Sequence, residues 1–234
     1  MMKKLMCLLK GVKMDKITVK IKINEDFKIF EYDGDLNIPV TTLLERLDCP
    51  IEYDCSCLQG LCGACAMVIN SKPKLACKSF LNDEIQNNVI TIEPLSKFPL
   101  VKDLKVNRHI LYDVMSDSEL WLESKADISG EIDFEYEMSL CLMCGCCCEA
   151  CPNYGETSFV GTPVAVSASK LLNIETNQKH IDSIKKNYKN KFYNHCVKSL
   201  VCEEICPMKI PTQRAISKMN KKSVWRLWQL FNWK

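Results

Sequence analysis

Sixteen cysteines in 234 residues limit this chain more than any other feature, because most of them fall in tight runs rather than as scattered pairs. One run is Cys57-x4-Cys62-x2-Cys65, with Cys77 further on; another is Cys141-x2-Cys144-x2-Cys147-x3-Cys151-Pro152. Neighbours such as Cys146, Cys147 and Cys148 cannot all find disulfide geometry locally, whereas a metal cluster gathers closely spaced thiolates round one centre. The pattern points away from a secreted disulfide scaffold and toward a reducing compartment.

The x4-then-x2 spacing is that of a plant-type [2Fe–2S] cluster held by four thiolates, here Cys57, Cys62, Cys65 and Cys77. Gly60 and Gly63 suit a loop that must aim backbone N–H groups at sulfur through conformations a β-carbon obstructs. A zinc knuckle is the rival, and the glycines inside that spacing favour the cluster. The second run matches the bacterial ferredoxin pattern, whose fourth cysteine binds the other of two clusters, so a further ligand set is expected downstream. Reading back from Cys206-Pro207 gives Cys196-x2-Ser199-x2-Cys202-x3-Cys206, with serine at one ligand position. Crossing the fourth cysteines assigns Cys141, Cys144, Cys147 and Cys206 to a [4Fe–4S] cluster and leaves Cys151, Cys196 and Cys202 for the other. A cubane corner without a strong ligand loses its iron, which predicts a [3Fe–4S] centre at that site. An alkoxide from Ser199 holding a fourth iron stays open. Cys7, Cys49, Cys55, Cys146 and Cys148 are left over and read as small buried or partly buried thiols.

Hydrophobic periodicity places these runs on two different scaffolds. ITVKIKI (17–23) alternates apolar and polar residues, and FKIFEY (27–32) follows the polar turn Asn24-Glu25-Asp26, which reads as a hairpin with one buried face. TTLLERL (41–47) reads as a short helix with Thr41 or Thr42 as N-cap. AMVIN (66–70), the turn Ser71-Lys72-Pro73 and VITIE (89–93) add strands, making the first half α+β. Residues 94–104, with two prolines and no sustained period, read as an extended linker. Beyond it apolar residues fall at helical spacing, at Ile110, Leu111, Val114 and Met115 and again at Ile181 and Ile184. The expected organisation is an N-terminal extension (1–16, with Met14 a candidate start), a ferredoxin domain (17–98), a helical domain (99–219) and a basic tail (220–234).

The chain resembles the iron–sulfur subunits of succinate dehydrogenases and fumarate reductases from about Ile17 to about Met219. The resemblance rests on CSCLQGLCGACAM (55–67), LAC (75–77), PLVKDLKV (99–106), CLMCGCCCEACPNY (141–154) and CVKSLVCEEICPMKIP (196–211). It implies an N-terminal β-grasp, plant-type ferredoxin domain followed by an all-α, bacterial-ferredoxin-like domain. The implied partners are an FAD-containing flavoprotein and a membrane cytochrome b or anchor subunit, with electrons running between flavin and quinone through the [2Fe–2S], [4Fe–4S] and [3Fe–4S] clusters in turn. The chain would then be a peripheral subunit at the cytoplasmic face of the cell membrane, part of a succinate:quinone or quinol:fumarate oxidoreductase that binds substrate elsewhere. Ubiquinone-linked members carry tryptophan shortly after the first Cys-Pro and histidine after the first cysteine of the last run, where this chain has Tyr154-Gly155-Glu156 and Val197. Cys-Pro-Asn at 151–153 and Ser199 look more like the menaquinone-linked members. Pro152 and His195 are the quinone-proximal candidates.

A net charge of +2 argues against a general nucleic-acid-binding surface. Three histidines, no G-x-S-x-G and no phosphate loop leave no catalytic group within the chain itself. No stretch reaches the roughly 20 apolar residues needed to span a bilayer. Residues 208–234 carry seven Lys or Arg, no Asp or Glu, and end in VWRLWQLFNWK, a composition that suits either a membrane interface or a packed helix. Two other functions fit parts of the pattern: an electron-transfer subunit of a soluble complex resembling heterodisulfide reductase or glycolate oxidase, and a zinc-stabilised interaction module. The former usually keeps ligands for two four-iron clusters, which Ser199 contradicts.

Overall fold

The computed structural model describes residues 16–127, 132–155 and 159–225. The expected extension with Cys7 and Met14, together with Glu156 and the tail from 226 onward, lies outside the described residues. Strands β1 (Ile17–Ile23) and β2 (Asp26–Tyr32) pair antiparallel. Alternation puts Ile17, Val19, Ile21 and Ile23 on one buried face. On β2, at the sheet edge, Phe27 and Ile29 stay exposed instead of joining that face. Helix α1 (Val40–Arg46) adds Val40, Leu43 and Leu44 to the same core. The expected threonine cap is not used: Thr41 is buried within the first turn, and the Val40 N–H donates to the Ser79 carbonyl (2.8 Å). A short antiparallel bridge between Pro39 and Phe80 supplies what a cap side chain would.

Strands β3 (Ala66–Ile69) and β4 (Lys72–Leu75) form a hairpin, and β5 (Val89–Glu93) runs parallel to β1 and antiparallel to β3, giving the order β2-β1-β5-β3-β4. The hairpin turns at Asn70-Ser71, with φ of 48° and 62°, one residue earlier than the expected Ser71-Lys72-Pro73. Two left-handed central residues match the twist of the flanking strands. Pro73 sits within β4, where its missing N–H is harmless because β4 is an edge. The hairpin is followed by a single tight turn, Ala76–Lys78, and by α2 (Leu81–Glu84).

The segment expected as an extended linker is instead fastened down. It contains a small hairpin, β6 (Leu100–Lys102) and β7 (Lys105–Val106), and buries Leu95, Phe98 and Leu104. The rest is helical: α3 (Ile110–Asp117), α4 (Ile132–Ser139), α5 (Cys146–Ala150), α6 (Thr162–Ile174), α7 (Gln178–Asn187), α8 (Val201–Glu204) and α9 (Thr212–Ser223), with a wide π-type turn at Tyr188–Tyr193. Helix α6 is central, packed on α4, α9 and the wide turn. Its Val164, Ala165, Val166, Ala168, Ser169, Leu171 and Leu172 are all buried, and the small residues let neighbours approach closely. Pro163 falls in its first turn, where no intrahelical N–H bond is lost.

The halves are joined at α5. Both Glu149 carboxylate oxygens accept hydrogen bonds from the segment before β6: Ser96 N and Lys97 N each at 3.0 Å, and Ser96 Oγ at 2.6 Å. The Phe98 ring lies 5.7 Å from that of Tyr154. Further from the cysteines, the loop after α3 is pinned by a buried ion pair. His180 Nδ1 is 3.1 Å from Glu175 Oε2 and Nε2 is 2.9 Å from the Glu119 carbonyl, while Trp121 stacks on the ring at 5.7 Å. Burial alone would favour the neutral imidazole, but Glu175, the Glu119 carbonyl and Glu123 together raise its pKa. Burial likewise opposes ionisation of Glu175, and hydrogen bonds from Ser124, the Asn177 and Glu123 amides and His180 outweigh it, holding the carboxyl far below its usual range.

The stability that His180 supplies is therefore complete below its ordinary value of 6.5 and is lost as pH climbs through the raised value. That of Glu175 is present above its ordinary 4.5 and is lost only in strong acid. Denaturant unfolding from about pH 6 to 9 is expected to give falling stability, and His180→Leu is expected to cost about 3 kcal/mol at pH 6 by stranding the carboxylate. An unchanged slope against pH in that variant would show the imidazole to be uncharged.

Candidate metal centres

The loop between α1 and β3 carries the first cysteines. Left-handed residues at Leu58, Gly60 and Gly63 (φ 53°, 75° and 73°) curl the backbone so that its amides face sulfur. Cys57 Sγ accepts from Gln59 N (3.4 Å) and Leu61 N (3.2 Å), and Cys62 Sγ from Ala64 N (3.5 Å). The Gln59 and Leu61 amides, with the Cys62 thiol, pull the Cys57 thiol down to about 6. The β3–β4 hairpin returns Cys77 to the loop, where its N–H donates to Cys65 Sγ (3.4 Å) and Ala76 N donates to the Cys65 carbonyl (3.0 Å). Burial pushes Cys65 up to about 12, and both Cys77 and Cys62 lie close enough to add to that shift. Cys57, Cys62, Cys65 and Cys77 thus form one group, arriving from a loop and from the tight turn after a hairpin.

Cys141, Cys144, Cys147 and Cys206 line a single small cavity whose other walls include Leu142, Met143, Pro163, Pro207, Met208 and Ile210. Burial pushes the Cys141 thiol up to about 12, and Cys147, Cys144 and Cys206 lie close enough to add to that shift. Cys206 is also raised, by burial first. Cys144 is lowered to about 7, mainly by the Cys146 thiol, which donates to it, with the Arg108 charge contributing. Cys151 and Cys202 are the thiol neighbours of Cys196, whose own pKa is raised by burial. The fourth cysteine of each run therefore sits with the other run's sulfurs.

The two runs also repeat each other in backbone. Met143 and Gly145 (φ 52° and 87°) follow Cys141 by two and four residues; Lys198 and Leu200 (φ 59° and 60°) follow Cys196 by the same steps. Each run then enters a short helix, α5 or α8, and leaves it at a cysteine followed by proline. Ser199 consequently occupies the backbone place that Cys144 holds in the first run, between two left-handed residues, and it is exposed. Pro152 is exposed, His195 is half-buried, and Asn153 Nδ2 donates to the His195 carbonyl (2.7 Å), so the two quinone-proximal candidates are neighbours across the runs.

Of the leftover cysteines, Cys146 and Cys148 are fully buried beside the second group and Cys49 is half-buried. Cys55 is exposed, unlike the expectation for it. Pattern reading missed Arg108 and Thr212, whose hydroxyl is 3.4 Å from Cys202 Sγ, and named Cys146 as a buried thiol without its hydrogen bond to Cys144. No spacing rule links residues so far apart in sequence or separates a second-row thiol from a ligand.

All cysteines among the described residues are free thiols, and no group of three or more His, Cys, Asp or Glu side chains there is arranged to hold a single metal ion. All-thiol groups with amide donors aimed at sulfur and an apolar-walled cavity fit polynuclear iron–sulfur clusters, whose sulfurs stand further apart than those round one zinc.

Comparison with known proteins agrees with this chemistry. Residues 14–113 match the model of a 2Fe-2S iron-sulfur cluster binding domain. The chain is 29% identical over 223 residues to the succinate dehydrogenase iron-sulfur subunit of Bacillus subtilis, covering 85% of each chain. It is 28% identical over 218 residues to the fumarate reductase iron-sulfur subunit of Wolinella succinogenes, covering 86% of this chain and 89% of that one. Its fold matches a chain of the Mycobacterium smegmatis Sdh1 complex with a TM-score of 0.77 at 18% identity, over 90% of this chain and 96% of that chain.

A variant pair tests the backbone repeat. A β-carbon at Gly145 would meet Phe98 at 2.9 Å, on top of the left-handed strain. Gly145→Ala is expected to lower stability by about 2–3 kcal/mol in thermal unfolding. Leu200 already bears its left-handed φ of 60°. Leu200→Gly is expected to change stability by less than about 1 kcal/mol, since relieved strain and lost packing offset each other.

Proposed function

We propose that this chain, which is similar to the iron–sulfur subunits of succinate dehydrogenase and fumarate reductase, belongs to that family and relays single electrons between a flavoprotein partner and a membrane quinone. The observation that carries this reading is the sorting of eleven cysteines into groups of four, four and three, with a serine at the remaining backbone place. Cys57, Cys62, Cys65 and Cys77 would hold the [2Fe–2S] cluster. Cys141, Cys144, Cys147 and Cys206 would hold the [4Fe–4S] cluster, and Cys151, Cys196 and Cys202 the [3Fe–4S] cluster beside Ser199. Such clusters carry electrons one at a time, which lets two-electron chemistry at a flavin and at a quinone proceed in separate places.

What the chain itself does is hold, order and insulate. The first group meets the second where Gly63 packs on Cys144, and the second meets the third where α5 packs on α8, which supports a linear order with the three-iron site at the far end. Amide donors to Cys57, Cys62 and Cys65 stabilise charge on sulfur without supplying a proton. The apolar walls round the second group exclude water. No helix among the described residues is long and apolar enough to cross a membrane, and we assign contact with the bilayer to a separate anchor subunit. Exposed Pro152 and half-buried His195, next to the third group, form the face we assign to the quinone side, with menaquinone as the quinone.

Anaerobically isolated protein is expected to contain about nine iron atoms per chain and to give a three-iron resonance when oxidised. Ser199→Cys is expected to replace that resonance by a four-iron signal on reduction, with iron content rising by about one. A colourless zinc-loaded protein, or oxidised material without a three-iron signal, would refute the reading.

A further inference from the structure

The first and second cysteine loops touch backbone to backbone. A β-carbon added at Gly63 would come within 2.8 Å of Cys144 Cβ and 3.1 Å of the Leu142 carbonyl oxygen, so only glycine permits this approach. One charged side chain is set into the seam. Arg108 follows β7, its side chain is 15% exposed, and its guanidinium spans both loops. Nη1 donates to the Gly63 carbonyl at 2.7 Å and to the Cys144 carbonyl at 3.2 Å, and Nη2 donates to the Ala64 carbonyl at 2.9 Å. The planar fork of arginine satisfies three such acceptors at once, which a lysine ammonium on a flexible stem does not. The nearest carboxylate, Asp54, is 3.8 Å away, and Lys105 shares it at 3.4 Å. The positive charge is therefore only partly compensated, and it lies between two all-thiol groups.

We propose that Arg108 is a positioning residue for electron transfer between the first and second centres, fixing the Gly63–Cys144 contact and placing a permanent positive charge between them. The proposal rests on the cluster assignment above. In the step concerned, one electron leaves the reduced first centre and enters the oxidised second centre; no bond forms or breaks, and the guanidinium keeps its proton throughout. Each centre gains negative charge on reduction. A cation within the seam, largely shielded from solvent, favours the reduced form of both and weakens the repulsion between two reduced neighbours.

The test uses the full chain, isolated anaerobically with its clusters, with iron content and paramagnetic resonance recorded for every variant. Arg108→Gln keeps donors but removes the charge. It is expected to make both centres harder to reduce, changing the oxidised-to-reduced ratio at a fixed ambient potential by about threefold to tenfold, a tenfold change being about 59 mV for one electron. Arg108→Lys keeps the charge and is expected to leave that ratio within about twofold, while altering the spin–spin interaction between the two reduced centres as the seam loosens. Asp54→Asn leaves the carbonyl contacts in place and is expected to shift both centres in the opposite direction, which keeps the proposal open to refutation should Arg108→Gln fail to fold. Unshifted ratios in loaded Arg108→Gln or Asp54→Asn protein, or equal shifts in Arg108→Gln and Arg108→Lys, overturn it. Absence of these centres from the parent protein would instead refute the cluster assignment.

Discussion

Sulfur held by backbone amides is the interaction on which the rest of the molecule depends. A cysteine loop must present several thiols inward while its own peptide N–H groups face them, and an ordinary extended or helical run cannot do both. The chain meets this requirement with isolated left-handed residues: Leu58, Gly60 and Gly63 in the first loop, Met143 and Gly145 in the second, Lys198 and Leu200 in the third. Each single left-handed step costs a non-glycine residue about 1–2 kcal/mol, so these loops are not self-supporting. Sheet, hairpin and helices supply the support: β3 and β4 deliver Cys77 to the first loop, and α5 and α8 fix the ends of the other two.

Much of this was legible in the sequence because ligand spacing is a local property. Cys57-x4-Cys62-x2-Cys65 names its own group, and the crossing of Cys151 and Cys206 follows from a rule about which thiols a given loop can reach. The alternation in ITVKIKI likewise fixed β1, since burial on one face leaves little freedom of register. Misreadings arose where a distant backbone replaced a local signal. Thr41 is a sound cap candidate by type, yet the Ser79 carbonyl receives the Val40 N–H and makes a cap unnecessary. Pro73 marks a turn in most contexts, but at a sheet edge it fits a strand and Asn70-Ser71 makes the turn instead. Two prolines made 94–104 read as a linker, although Leu95, Phe98 and Leu104 in it are apolar and end up buried.

Arg108 was illegible for a different reason. Its partners are three carbonyl oxygens, at Gly63, Ala64 and Cys144, and a carbonyl carries no trace in the identity of its residue. Thr212 beside Cys202 is the same kind of case, a hydroxyl from the start of α9 meeting a sulfur ten residues earlier. Cys146 and Cys148 could be seen but not interpreted, because the ferredoxin register passes over them. They are buried beside the second group, where the Cys146 thiol donates to Cys144. A sequence thus identifies the residues that bind a cluster more readily than those that set its surroundings, and the surroundings determine potential.

The fastening of segment 94–104 is what the proposed relay would require. Electron transfer through protein weakens steeply with distance, so two centres, one on the sheet half and one on the helical half, need those halves held in one relation. A flexible linker would let the Gly63–Cys144 contact open. Instead Leu95 and Phe98 pack where Gly145 leaves room, Glu149 takes the Ser96 and Lys97 amides, and the Lys97 ammonium donates to the Cys151 carbonyl. These contacts bind the end of the sheet domain to α5, the helix within the second cysteine run. Each of them meets α5 or a residue immediately flanking it, so displacement of either half would disturb the second loop before the first.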